Sequence, residues 1–140
     1  MTAKPLPPEI ENAIKRVLKN CWSYKTGAWT SDNEKYPSSN QCIQTSLVIL
    51  EKFGGEILRT KIPRKLDGYE IDHFYNCIGG QRYDFTADQF DRPEFEQDWP
   101  KHYKDVLSSK SEALETLVYL SFLEEMRYAF ELEFQKVVSA

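Results

Sequence analysis

The segment Pro37-Ser38-Ser39-Asn40-Gln41-Cys42 leads directly into an apolar run over residues 43–53. Ser38 and Gln41 stand three apart, the spacing of a capping box, which predicts a helix starting near Ser38 or Ser39 with Cys42 in its first turn. A thiol in that position meets backbone N–H groups that have no partner inside the helix. The positive end of the helix dipole favours thiolate over thiol, and the thiolate is the nucleophilic form. The plainer use of such a cysteine is as a small buried hydrophobe at a helix start.

A histidine and an acid lie downstream on what reads as a hairpin. Residues 69–78 and 81–86 are rich in aromatic and β-branched side chains and flank Gly79-Gly80, a strong signal for a two-residue turn. With that turn, Ile78 pairs with Gln81, Cys77 with Arg82, Asn76 with Tyr83, Tyr75 with Asp84, Phe74 with Phe85 and His73 with Thr86. Side chains two apart share a face, so His73 and Asp84 are diagonal neighbours about 7 Å apart at Cβ, a gap that an imidazole and a carboxylate can close. Cys42, His73 and Asp84 then supply nucleophile, base and orienting group, the logic of a thiol triad. Backbone N–H groups at the helix start, with Gln41 as an extra donor and Asn40 and Trp29 lining the site, would stabilise an oxyanion. A turn one residue longer would instead make Asn76 or Asp72 the orienting group.

A metal site from Cys42, His73, Cys77 and His102 is the competing chemistry. His73 and Cys77, four apart on a strand, have Cα atoms about 13 Å apart, too far for joint ligation. The residues therefore call for no metal and no cofactor. Three cysteines with no Cys-x-x-Cys spacing argue against a disulfide framework. The 22 acidic residues outnumber the 18 basic ones and no dense Lys/Arg block occurs, which leaves a nucleic-acid partner or an anionic membrane without electrostatic support. No apolar run approaches 18 residues, and residues 1–7 lack a signal-peptide core, so a cytoplasmic location is expected.

The elements that must position these groups follow from periodicity. A chain of 140 residues, 41% hydrophobic and 14% aromatic, suits one domain over residues 1–140, with a core at about 7–110. Pro7 and Pro8 precede an amphipathic helix over residues 9–21, with Ile10, Ile14, Val17, Leu18 and Cys21 on one face. An irregular loop leads from Trp22 to Pro37. The Cys42 helix should stop at Gly54-Gly55, ahead of a strand over residues 56–62 and a basic loop at 63–68. Residues 87–110 show no clear period, and Phe90, Phe95, Trp99 and Tyr103 are expected to pin them to the domain. Ser109 and Glu112 repeat the capping-box spacing before a helical run to Val138, about 40 Å if unbroken. Leu123, Met126, Phe130 and Phe134 give that helix more apolar surface than one narrow stripe holds. The expected outcomes are packing on its own domain or a homodimer through the C-terminal helix.

The stretch from Pro37 to Cys42, then Phe53-Gly54-Gly55-Glu56-Ile57-Leu58, His73-Phe74-Tyr75-Asn76 and Gly80-Gln81-Arg82-Tyr83-Asp84-Phe85-Thr86 with Gln89-Phe90, resembles the YunG family of small bacterial proteins. The resemblance covers roughly residues 22–90 and implies a compact α+β domain in a cytosolic bacterial protein. In architecture, a helix-borne cysteine followed by a small antiparallel sheet with His and Asp is also similar to papain-like, NlpC-P60-like and transglutaminase-like cysteine enzymes. The Gly-Ser-Cys-Trp type of motif that marks papain itself is missing. The expectation is an α+β domain carrying a thiol-dependent acyl-transfer enzyme, a hydrolase, deamidase or transglutaminase-like protein, acting on an amide or ester. The alternative is a non-catalytic interaction domain that binds through the C-terminal helix.

Overall fold

The computed structural model describes residues 4–139. Helix α1 (Pro8–Cys21) carries Pro8 at its first position, Glu9 and Glu11 in the first turn and Lys19 in the last, charges that complement the helix dipole. Helix α2 (Cys42–Phe53) ends on Gly54. Four antiparallel strands follow: β1 (Glu56–Pro63), β2 (Glu70–Ile78), β3 (Gln81–Tyr83) and β4 (Val106–Leu107), in the order β3-β2-β1-β4. Helices α3 (Lys110–Thr116) and α4 (Leu120–Val138) complete the α+β domain.

The hairpin turns at Gly79 and Gly80, both with positive φ, and its register is Ile78 to Gln81, Cys77 to Arg82 and Asn76 to Tyr83. These are the first three pairs expected from a two-residue turn. The ladder then stops, because β3 ends at Tyr83 rather than running to Thr86. The three further pairs, Tyr75 with Asp84, Phe74 with Phe85 and His73 with Thr86, do not form as ladder pairs. Beyond Tyr83 the chain leaves the sheet and enters a 3-10 turn, Ala87–Asp91.

Strand β2 is covered on both faces. Phe74 and Ile78 join the main core with Ile14, Leu47 and Met126, while the Asn76 amide donates to Ser46 O of α2 at 3.0 Å. On the other face His73 and Tyr75 meet residues 84–105, where Phe90 lies edge-on to His73 with ring centroids 4.6 Å apart and Tyr103 edge-on to Tyr75 at 5.0 Å. Phe90, Phe95 and Ile62 form a second small core. The aromatics of this weakly periodic segment do pin it to the sheet, and a short strand, β4, that its sequence did not suggest pairs with β1.

The C-terminal run is two helices rather than one. Ser109 caps α3, its hydroxyl accepting from Glu112 N at 3.1 Å as the Ser-x-x-Glu spacing indicates. The helix then stops at Leu117, which is extended (φ −66, ψ 127), and Tyr119 is extended again before α4 starts. Val118 and Tyr119 are poor helix formers, so the break falls where propensity resists least. The break lets α4 lie against α1 and α2, burying Leu123, Met126, Phe130 and Phe134 within the chain. Those four side chains are therefore core and do not form a dimer face. A homodimer through this helix would have to use its outer side, where Tyr128 and Leu132 are exposed.

Because Phe130 is 1% exposed and stacks on Phe134 and against Phe53, Phe130→Ala should cost about 3–5 kcal/mol in urea unfolding. Exposed Tyr128→Ala should stay within about 0.5 kcal/mol. Equal small effects would show that α4 is not part of the core.

Candidate active site

Cys42 is the first residue of α2, in its first turn as the sequence suggests, but the helix begins later than the capping box predicts. Residues 37–40 form a turn, Asn40 takes a left-handed conformation (φ 64), and Gln41 is an N-cap whose side chain caps nothing. Ser38 does not cap because its hydroxyl is used elsewhere, donating to Asp88 Oδ1 at 2.6 Å and reaching Thr86 O at 3.4 Å. This ties the approach to α2 onto the segment that replaces β3 beside His73. The first N–H of α2 bonded to a backbone acceptor is that of Thr45, to Gln41 O at 3.1 Å. The N–H groups ahead of it are the unpaired donors every helix start presents.

A buried polar lattice fixes this start. Gln41 is fully buried, accepting from Thr26 Oγ1 at 2.8 Å and donating to Ser23 O at 3.4 Å. The Gln44 amide donates to Thr26 O and to Asn40 O. Gly27 packs so tightly here that a Cβ would stand 2.6 Å from Gln41 Nε2 and 2.7 Å from Asn40 O, so any side chain would push the loop off α2. Gln41, expected as an oxyanion donor, thus has its amide committed to holding residues 23–27. Asn40 lines the cleft in front of Cys42 with its amide donating to Ala28 O at 3.2 Å. Trp29 is 41% exposed and does not line that cleft, where its neighbour Ala28 does.

His73 is fully buried, and its Nε2 lies 2.6 Å from Asp84 Oδ2. Asp84 is fixed in turn: Oδ1 accepts from Thr86 N at 3.2 Å, and Oδ2 also accepts from the Tyr103 hydroxyl. Burial, and then the Asp84 charge, hold the Tyr103 phenol protonated far above its usual range, so it stays a donor. Burial alone would drive the His73 imidazolium to deprotonate. The charge and hydrogen bond of Asp84 oppose it, hydrogen bonding and charge from Cys42 add to them, and the net shift is upward from 6.5. Nδ1, the nitrogen Asp84 leaves free, is buried without a hydrogen-bond partner of full geometry. Cys42 is the other group that acts on the ring.

The structure thus joins His73 to Asp84 by a hydrogen bond, with Cys42 near enough to act on the imidazole. The competing orienting groups stand apart from the imidazole's bonded side. Asn76 is spent on Ser46 O, and Asp72 is exposed, 3.9 Å from Lys61. Tyr103 is the member that sequence reasoning missed; it was visible only as one of several scattered aromatics, with nothing to show that its hydroxyl meets Asp84. His102 offers its carbonyl to Thr60 Oγ1, and no group of three or more His, Cys, Asp or Glu among the described residues is arranged to hold a metal. Cys21, Cys42 and Cys77 are all free, and burial, with Glu133 nearby, pushes the Cys21 thiol up to about 12.

The family described as YunG protein matches residues 11–126, most of the chain. The chain belongs to the YunG family. A protein of Bacillus subtilis strain 168 described as Uncharacterized protein YunG is 40% identical over 101 residues, covering 71% of this chain and 74% of that protein. The YunG match extends beyond residues 22–90 in both directions and takes in the elbow between α3 and α4. No solved structure matches this chain, and nothing in the comparisons supports the papain-like architecture expected from the sequence.

Two measurements probe this site. Tyr103→Phe should lower stability by about 1.5–3 kcal/mol in urea unfolding, the worth of a hydrogen bond to a charged group; an unchanged midpoint would show the contact to be idle. His73 binds its proton more tightly folded than unfolded, so its contribution is full below about pH 6.5 and fades as pH rises above that toward the raised folded value. The stability difference between the parent and Asp84→Asn should therefore shrink from pH 6 to pH 9. A difference that grows with pH would mean that His73 is neutral in the folded protein.

Proposed function

We propose that this chain is a thiol-dependent acyl-transfer enzyme acting on an amide or ester, with Cys42 as nucleophile, His73 as base and Asp84 as the group that orients the imidazole. The observation that carries the reading is His73: a fully buried imidazole with one nitrogen held by a carboxylate and the other without a partner, on which Cys42 at the start of α2 acts. A histidine serving the fold alone would have both nitrogens satisfied.

In the reaction, the Cys42 proton rests on His73 as the imidazolium that Asp84 favours, and the thiolate adds to the carbonyl carbon, moving the π pair onto oxygen. Unpaired N–H groups of the first turn of α2 stabilise that oxyanion. When the intermediate collapses, the bond to the leaving nitrogen or oxygen breaks and the imidazolium returns its proton to the leaving group, giving a thioester on Cys42. Water or an amine, deprotonated by His73, then attacks the thioester and restores the thiol. Tyr103 helps hold Asp84 throughout. Hydrolase, deamidase and transglutaminase-like outcomes differ only in the acceptor. Free thiols on all three cysteines suit a reducing compartment such as the cytoplasm. A non-catalytic role resting on the apolar face of α4 loses its support, because that face is core.

Limited iodoacetamide labelling at neutral pH, mapped by mass spectrometry, tests the proposal. Cys42 should label first, Cys21 only after unfolding, and His73→Gln should slow Cys42 labelling by about 10²-fold. Preferential labelling of Cys77, or a Cys42 rate indifferent to His73, would overturn the thiol mechanism.

A further inference from the structure

The cleft that opens in front of Cys42 encloses about 270 Å³, the small end of the range for ligand pockets. One wall comes from Ile43 and Ile71, the other from the α3–α4 elbow and the first turn of α4, with Leu117, Val118, Tyr119 and Phe122. Of its polar side chains, four are already engaged, Thr116 through its hydroxyl to Glu112 O. Gln44 donates to Thr26 O and Asn40 O, Gln89 to Thr86, and Asn40 to Ala28 O. Asp72 is the one charged residue in the lining, and no basic residue lines the cleft.

Such a cleft has few ways to recognise what enters it. The Gln44 and Gln89 amide N–H groups cannot take a new acceptor without breaking a buried bond, so an anionic or acceptor-bearing substrate group would lose its hydration there without compensation. An anionic group would in addition face Asp72 with no cation in the lining to offset it. Apolar surface, by contrast, is matched on both walls. Val118 and Tyr119 are 78% and 61% exposed beside the buried positions of α4, so they hold apolar area that a bound group would cover. The helix break at residues 117–119 lies in the lining that also includes Cys42.

We infer that the cleft binds the acyl part of the substrate, and that this part is an apolar chain of a few carbons with no negative charge, read by the elbow residues Val118 and Tyr119 and by Asp72. The inference rests on the thiol reading of Cys42 for its chemistry, but not for its binding. Selectivity should rise with apolar length at about fourfold per methylene until the cleft is full. Anionic acyl groups should be rejected.

Two measurements separate the failure of this inference from the failure of the thiol mechanism. The first uses the full-length Cys42→Ala protein, labelled with nitrogen-15 and titrated with hexanamide, 6-aminohexanamide and the monoamide of adipic acid. Hexanamide and its cationic analogue should shift the Val118 and Tyr119 amide signals and bind at least tenfold more tightly than the anionic amide. Val118→Ser should weaken hexanamide several-fold, and Asp72→Asn should narrow the anionic penalty; both positions are exposed, so the fold should survive. Equal binding of all three amides, or hexanamide shifts that spare residues 117–122, would overturn the inference. The second offers the parent protein p-nitrophenyl acetate, butyrate and hexanoate and follows the thioester by intact mass. Selective amide binding without any thioester would retain the cleft assignment and remove the mechanism. A thioester whose rate ignores chain length would do the reverse.

Discussion

Burying an imidazole completely is costly unless both of its states are provided for, and the Asp84 carboxylate at His73 Nε2 is what makes it tolerable. Much of the surrounding chain follows from that one contact. Strand β3 stops at Tyr83, one residue before Asp84, so that the carboxylate can turn in toward β2 instead of continuing a ladder. Thr86 N holds one oxygen and Tyr103 the other, which draws residues 84–103 over the outer face of the sheet. Arg82 then lies over the Tyr103 ring at 4.2 Å and pairs with Asp105, whose carboxylate also accepts from Tyr75. The segment without clear periodicity is ordered by polar contacts to a buried strand more than by an apolar stripe of its own.

The start of α2 is built on the opposite plan. Its N-cap side chain does no capping, and the residues before it, Ser38, Ser39 and Gln41, are buried and polar. Ser38 bonds outward to Asp88 and Gln41 to the loop at residues 23–27, so the helix start is located by its neighbours rather than by its own cap. A side-chain cap would have occupied the first-turn N–H groups, the donors that acyl chemistry at Cys42 would use.

The split between α3 and α4 serves stability and the cleft together. Val118 and Tyr119 interrupt the helix, α4 turns to bury four large apolar side chains on α1 and α2, and the interruption is left beside Cys42. The apolar excess of the C-terminal run is thereby divided between core and cleft wall. Membership of the YunG family fits this view, because the matched span runs through residue 126 and so includes the elbow.

The sequence by itself determined what depends on local spacing. The α1 stripe, the Gly79-Gly80 turn with its register, the Ser109 cap and the place of Cys42 in the first turn of α2 all follow from contacts between residues a few positions apart. The turn register carries Asp84 to the neighbourhood of His73, but the ladder ends at Tyr83, so their contact depends on how the chain leaves the sheet. Only the tertiary structure decided the rest. Ser38 abandons its cap for Asp88, fifty residues away; Tyr103 finds Asp84 across nineteen; and the α4 face meets helices from the far end of the chain. These are competitions between a local partner and a distant one, and the outcome depends on which groups folding brings within bonding distance, a quantity that no local pattern carries.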